Sequence, residues 1–159
     1  MMKKIIWDSM LDADLNARYW SYLSQRYYLR DKYSKIFLAV MSSGTVASWQ
    51  FWDAVPFVWK GLSALSAVTA IALPILNWSK TIENMVRLKQ QWTELKNEYE
   101  MVWISHRNRK KSDAEIEKEL LRLKKKEADT SKEEVNLPND TELLYICRSE
   151  ILKSRGLNK

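Results

Sequence analysis

The chain has 159 residues, 46% hydrophobic and 29% charged, with 26 Lys and Arg against 20 Asp and Glu for a net charge of +6. That length suits one domain of ordinary size, and only three glycines and three prolines exclude a turn-rich β sandwich or barrel. One histidine (His106) and one cysteine (Cys147) exclude most metal centres and any disulfide within the chain.

The charges are unevenly placed. Residues 1–35 hold seven bases and four acids, and residues 80–159 hold eighteen and fifteen. Residues 36–79 hold only Asp53 and Lys60, where the chain average would give roughly thirteen charges. The mean hydropathy of -0.43 therefore averages an apolar centre with two charged arms. The chain start, Met1 to Ile6, is halted by Asp8 before an apolar region forms, which argues against a cleaved signal peptide.

In chain order, residues 8–35 come first. Leu11, Leu15, Tyr19, Tyr22, Leu29 and Tyr33 recur at helical spacing and predict an N-terminal helix. Ile36 to Trp52 then runs uncharged for 17 residues, roughly 26 Å as a helix. Gly61 to Ser79 is a second uncharged run of 19 residues, roughly 28 Å. Both approach the roughly 30 Å hydrocarbon thickness of a bilayer. Asp53-Ala54-Val55-Pro56 between them reads as a tight turn with Pro56 opening the second helix. Trp49, Trp52 and Trp59 gather at that turn, and Tyr33 and Trp78 mark the other side, the two aromatic belts that membrane interfaces select. A transmembrane hairpin over 36–79 is therefore expected. Arg26, Arg30, Lys32 and Lys35 precede it and Lys80, Arg87 and Lys89 follow, which places both termini in the cytoplasm by the positive-inside rule. The competing reading is a buried hairpin in a soluble helical protein.

Within the hairpin, Ser42, Thr45 and Ser48 share one face of the first helix, and Ser63, Ser66, Ala70 and Asn77 lie near one face of the second. Small and hydroxyl side chains let helices approach closely in lipid, or line a narrow water path if several copies assemble. Pro74 is the expected hinge.

Residues 80–106 give Met85, Leu88, Trp92, Leu95, Tyr99 and Val102 in alternating steps of three and four, a heptad pattern. Two arms leaving one membrane face must lie antiparallel. Setting Lys35 opposite Lys80 makes paired residue numbers sum to about 115, with Tyr22 near Trp92, Leu15 near Tyr99 and Leu29 near Met85. Such a stalk would reach roughly 40 Å from the bilayer.

Residues 107–159 form a charged C-terminal region. Arg107, Arg109, Lys110 and Lys111 break the heptad. They read as a solvated turn or as an anion site, and at that distance lipid is disfavoured, which leaves a diffusible phosphate ligand, a nucleotide signal or a nucleic acid. Ser112 or Asp113 can cap a helix running to about Lys126, a flexible linker is expected near 128–137, and Asn139 or Asp140 can cap a last helix from Thr141 to Ser154 with Gly156 after it. Its apolar face of Leu143, Leu144, Ile146, Cys147 and Ile151 must dock on something.

No glycine-rich phosphate loop fits glycines at 44, 61 and 156 alone, and His106 has no catalytic partners nearby. The chain is expected to be no enzyme and to need no cofactor or metal.

The arm YWSYLSQRYYLRDKYSK, the pair IFLAVMSSGTVASWQFW and FVWKGLSALSAVTAIALPILNW, and the arm beginning SKTIENMVRLKQQW together resemble the SLATT group of bacterial membrane effectors over roughly 8–106. The resemblance lies in the order of parts. It implies an all-α, homo-oligomeric inner-membrane protein, a tetramer or larger, that forms a gated pore in anti-phage defence. It also implies control by a nucleotide or oligonucleotide signal from a companion protein, without stable binding of duplex nucleic acid. The alternative function is a non-conducting anchor or adaptor whose stalk recruits a protein partner.

Overall fold

The computed structural model describes residues 2–47 and 56–156. Ser48, Trp49, Trp52 and the Asp53 to Val55 part of the expected turn lie outside the described residues, as do the side chains of Thr45 and Trp59. The described residues are all-α: α1 (Met2–Ala47), α2 (Pro56–Leu76), α3 (Trp78–Arg107), α4 (Asp113–Glu133) and α5 (Thr141–Ser154). They divide into two compact units, one of Met1–Ser24 with Glu83–Lys159 and one of Gln25–Ile82.

The first helix starts at Met2 rather than residue 8 and does not break at 36. With no glycine or proline before Gly44, nothing in the sequence interrupts it. At 46 residues it is about 69 Å long.

The first unit packs four helical segments around one core. From α1 come Ile6, Met10, Ala13, Ala17, Trp20 and Leu23, and from α3 Met85, Leu88, Trp92, Leu95, Tyr99 and Val102. Helix α4 adds Ile116, Leu120 and Leu123, and α5 adds Leu143, Cys147 and Ile151. Trp7 packs on Trp103 with ring centroids 5.3 Å apart, and Lys96 reaches Asp14 at 3.2 Å, so this part of α1 runs antiparallel to α3. Both pairs sum to 110, about one helical turn away from the expected register.

The expected stripe on α1 is corrected. Tyr22 is 37% exposed and its hydroxyl donates to Glu150 at 3.1 Å, on α5. Leu15 lines an apolar cavity of about 320 Å³ with Leu11, Leu144 and Ile151. Leu29 is exposed. The face that meets α3 is marked instead by Ala13 and Ala17, which permit close approach, and by Trp20. Trp20 and Trp92 both donate their indole N–H to Glu134 Oε1, at 3.0 and 2.7 Å.

The linker expected near 128–137 is also corrected. Helix α4 continues to Glu133, because Thr130 is buried with its hydroxyl bonded to the Lys126 carbonyl at 3.0 Å. Glu133 and Glu134 are further held from α3 by Arg87 at 3.1 Å and by Trp92. Long-range anchors thus override a composition that reads as flexible. Ser112 caps α4 in a reciprocal capping box with Glu115, and Asp140 caps α5 by accepting from the Leu143 N–H at 2.9 Å.

The second unit holds the rest of α1, all of α2 and the first turn of α3. None of its described residues is buried. Ile36, Val40, Val68 and Ile71 are between 47% and 69% exposed, and Phe57 is 88% exposed.

Candidate functional site

The break between α2 and α3 lies at Asn77, where the two helices bend by 43°. Pro74 sits inside α2, and the helix ends at Leu76. Asn77 has φ 44, the left-handed region that asparagine tolerates better than most residues. Its carbonyl accepts from the N–H groups of Lys80 and Thr81 at 3.1 and 3.2 Å and so starts α3. A proline near the end of a helix removes only one bond, whereas a left-handed residue reverses the backbone sign and must end the helix.

The small and hydroxyl residues divide. On α2, Ser63 and Ser66 are half-covered, together with Thr69 and Leu73, while Ala70, and Asn77 just after the helix, are exposed. Ser42 is exposed on α1 and its hydroxyl donates to the Leu38 carbonyl at 2.7 Å. Thr69 donates likewise to Leu65 at 2.8 Å. Bonding back to the i−4 carbonyl satisfies a hydroxyl without water, as a hydrocarbon surrounding requires. Among the described residues no single helix is long and apolar enough to cross a membrane. One bent pair, Lys60–Leu76 with Trp78–Arg107, passes by length and composition together.

The basic turn is solvent-exposed. Arg107 ends α3, Arg109 takes φ 50, and the Lys110 N–H bonds the Ser105 carbonyl at 3.0 Å, closing the turn. Lys111 is drawn away into an ion pair with Glu119 on α4, at the edge of an open groove of about 510 Å³ that Lys118 and Arg122 also line. Lys111 is therefore committed to α4. His106 stands 4.0 Å from Asp113.

Two polar hubs in the first unit left no periodic signal in the sequence. Asp14 is 3% exposed and gathers Arg18 at 3.3 Å, Lys96 at 3.2 Å and Arg155 at 3.7 Å, from α1, α3 and the end of α5. Tyr99, fully buried, donates to Glu127 Oε2 at 2.6 Å. Burial, then the bond to Glu127, push its phenol well above the usual tyrosine range, so it stays a donor. On the rim, Lys126 and then Arg122, bonded to Glu98 at 2.8 and 2.6 Å, hold the Glu98 carboxyl below its ordinary value. These groups clamp helices together. Among the described residues no group of three or more His, Cys, Asp or Glu side chains could hold a metal.

Comparison with protein-family models, with curated proteins and with solved structures finds no match for this chain.

Proposed function

We propose that this chain is an integral membrane protein whose unit Gln25–Ile82 forms a two-crossing hairpin in the bacterial inner membrane, with the four-segment unit as its cytoplasmic body. The observation that carries this reading is that the most apolar part of the chain buries none of its described residues. Burying a large aliphatic side chain gains about 1.5–3 kcal/mol. Leaving the nine exposed aliphatic side chains of this unit partly in water forfeits on the order of 10–20 kcal/mol, comparable with the whole stability of a domain. A bilayer removes that penalty. Copies of the hairpin assemble, in this proposal, into a gated pore that acts in anti-phage defence under a nucleotide-type signal, with no catalytic step. Support for the pore comes from the resemblance to the SLATT group and from the hydroxyl row of Ser63, Ser66 and Thr69.

Induced expression tests it. The chain should sediment with membranes and resist alkaline carbonate, membrane potential should collapse, and Ser66→Leu should change the conductance. A potential that stays intact under overexpression and under infection sinks the pore.

One observation favours the second reading, a non-conducting anchor. The hydroxyl row is half-covered within a single copy, and the more exposed side of α2 is apolar, with Leu65, Val68, Ile71 and Ile75. The body then recruits a protein through α5, whose Tyr145 is 76% exposed and whose Ile146 is 38% exposed. In that case Tyr145→Ser with Ile146→Ser abolishes function while Ser66→Leu is silent. The pore reading requires the reverse.

A further inference from the structure

We infer that the α1 segment just before the apolar run is a binding surface for anionic phospholipid headgroups; the inference rests on the membrane reading above. Between Gln25 and Lys35 the helix carries four bases, Arg26, Arg30, Lys32 and Lys35, and one acid, Asp31. Lys35 takes that acid at 2.6 Å, on the half-covered side of the helix. The bases of the run thus outnumber its acids four to one, and its one carboxylate is already matched by Lys35. Arg26, Arg30 and Lys32 are all exposed, and the Arg30 guanidinium lies over the Tyr27 ring at 5.5 Å, which orients it.

Helical geometry then fixes what stands beside these charges. Positions 26, 33, 36 and 40 share one face of α1, with Leu29 between them, so the row begins with Arg26 and continues as Tyr33, Ile36 and Val40. Those three are 65%, 47% and 60% exposed. Arg30, at the edge of that face, stands about 15 Å up the helix axis from Val40, and Arg26, on the row itself, about 21 Å. The two bracket the step from half the roughly 30 Å hydrocarbon thickness to the headgroup level at about 20–22 Å. A charge row followed by an apolar row one leaflet deep matches a phospholipid molecule, phosphate to guanidinium and acyl chain to the stripe. A free phosphate or a nucleic acid would use the charges and leave the stripe bare. Phosphatidylglycerol offers a net negative headgroup to these bases, whereas phosphatidylcholine does not.

The test uses the full chain reconstituted into vesicles of equal parts phosphatidylglycerol and phosphatidylcholine, then extracted with a copolymer that carries the surrounding lipid along, the lipids being counted by mass. The wild type should retain phosphatidylglycerol over phosphatidylcholine by about fivefold. The triple variant R26Q/R30Q/K32Q should fall to the bulk ratio, and R26K/R30K/K32R should restore the enrichment. The charge-matched variant K118Q/K125Q/K132Q on the body should keep it. Flotation and helical circular dichroism of the triple variant show that it inserts and folds. Wild type at the bulk ratio, or a triple variant that keeps the enrichment, overturns the inference while leaving insertion intact. A chain that fails to float with vesicles of either lipid overturns the membrane reading itself.

Discussion

The two units share helix α1 and obey opposite rules. In the body, apolar side chains at heptad spacing disappear from the surface: Met85, Leu95 and Tyr99 are fully buried. In Gln25–Ile82, where charge is sparse and apolar residues are densest, no described residue is buried. Hydropathy and burial thus run in opposite directions along a single helix, α1, which contributes Ile6 and Met10 to a core and leaves Ile36 and Val40 exposed. The difference teaches that amphipathicity, not hydrophobicity, is the mark of a water-soluble core. A helix apolar over most of its surface cannot be covered by one neighbour.

Paired truncations give the strongest test of this contrast. Trp92→Ala should cost about 3–5 kcal/mol in denaturant unfolding of the detergent-solubilised chain, since it removes the largest core side chain and orphans one bond to Glu134. Ile71→Ala, 69% exposed before the change, should move the same midpoint by less than about 0.5 kcal/mol. Comparable losses at both sites would erase the distinction between the units. Asp14→Asn should cost about 3 kcal/mol, because Lys96 and Arg18 lose their buried counter-charge. Adding Lys96→Met should recover part of it, and a double variant as unstable as the single would argue that Asp14 is merely packed. A smaller effect, about 1 kcal/mol, is expected for Tyr99→Phe, where the hydrogen bond goes but Glu127 keeps Lys124 at 2.9 Å.

The smallest effect concerns pH. Glu98 has its carboxyl lowered by Lys126 and Arg122, so its contribution is present above the ordinary glutamate range and is lost as pH falls through the lowered value. Lys126 is raised, chiefly by the bond to Glu98, so its share is present below the ordinary lysine range and is lost as pH rises through the raised value. Unfolding midpoints should therefore sag at both acid and alkaline ends, and Glu98→Gln should flatten the acid arm. An unchanged acid arm in that variant would show that the rim pair adds nothing.

Much of the architecture was written in local pattern. The heptad of α3 is complete in the sequence because Met85 through Val102 face one core and no other. The start of α4 at Ser112 was equally legible, since a capping box is a contact between residues three apart. A count of charges marks the uncharged run 36–79, whereas the compact unit that contains it begins earlier, at Gln25, and takes in the charged turns up to Lys35. Site residues were harder. The α1 stripe of Leu15, Tyr22 and Leu29 reads as the α3 interface, but α1 has two apolar faces, and the one marked quietly by Ala13 and Ala17 packs closer. The break between α2 and α3 falls at Asn77, where a left-handed backbone ends α2, and not at Pro74, which stays inside the helix.

What the sequence determined alone was therefore the helical class, most helix starts and the contrast in hydropathy, all properties of neighbours within a turn or two. Tertiary structure decided the register of α1 on α3, the extension of α4 to Glu133 and the gathering of three cations on Asp14. Each of these depends on partners far apart in the chain: Glu134 stands 114 residues from Trp20. No local period records such a meeting, because it exists only once the helices have packed.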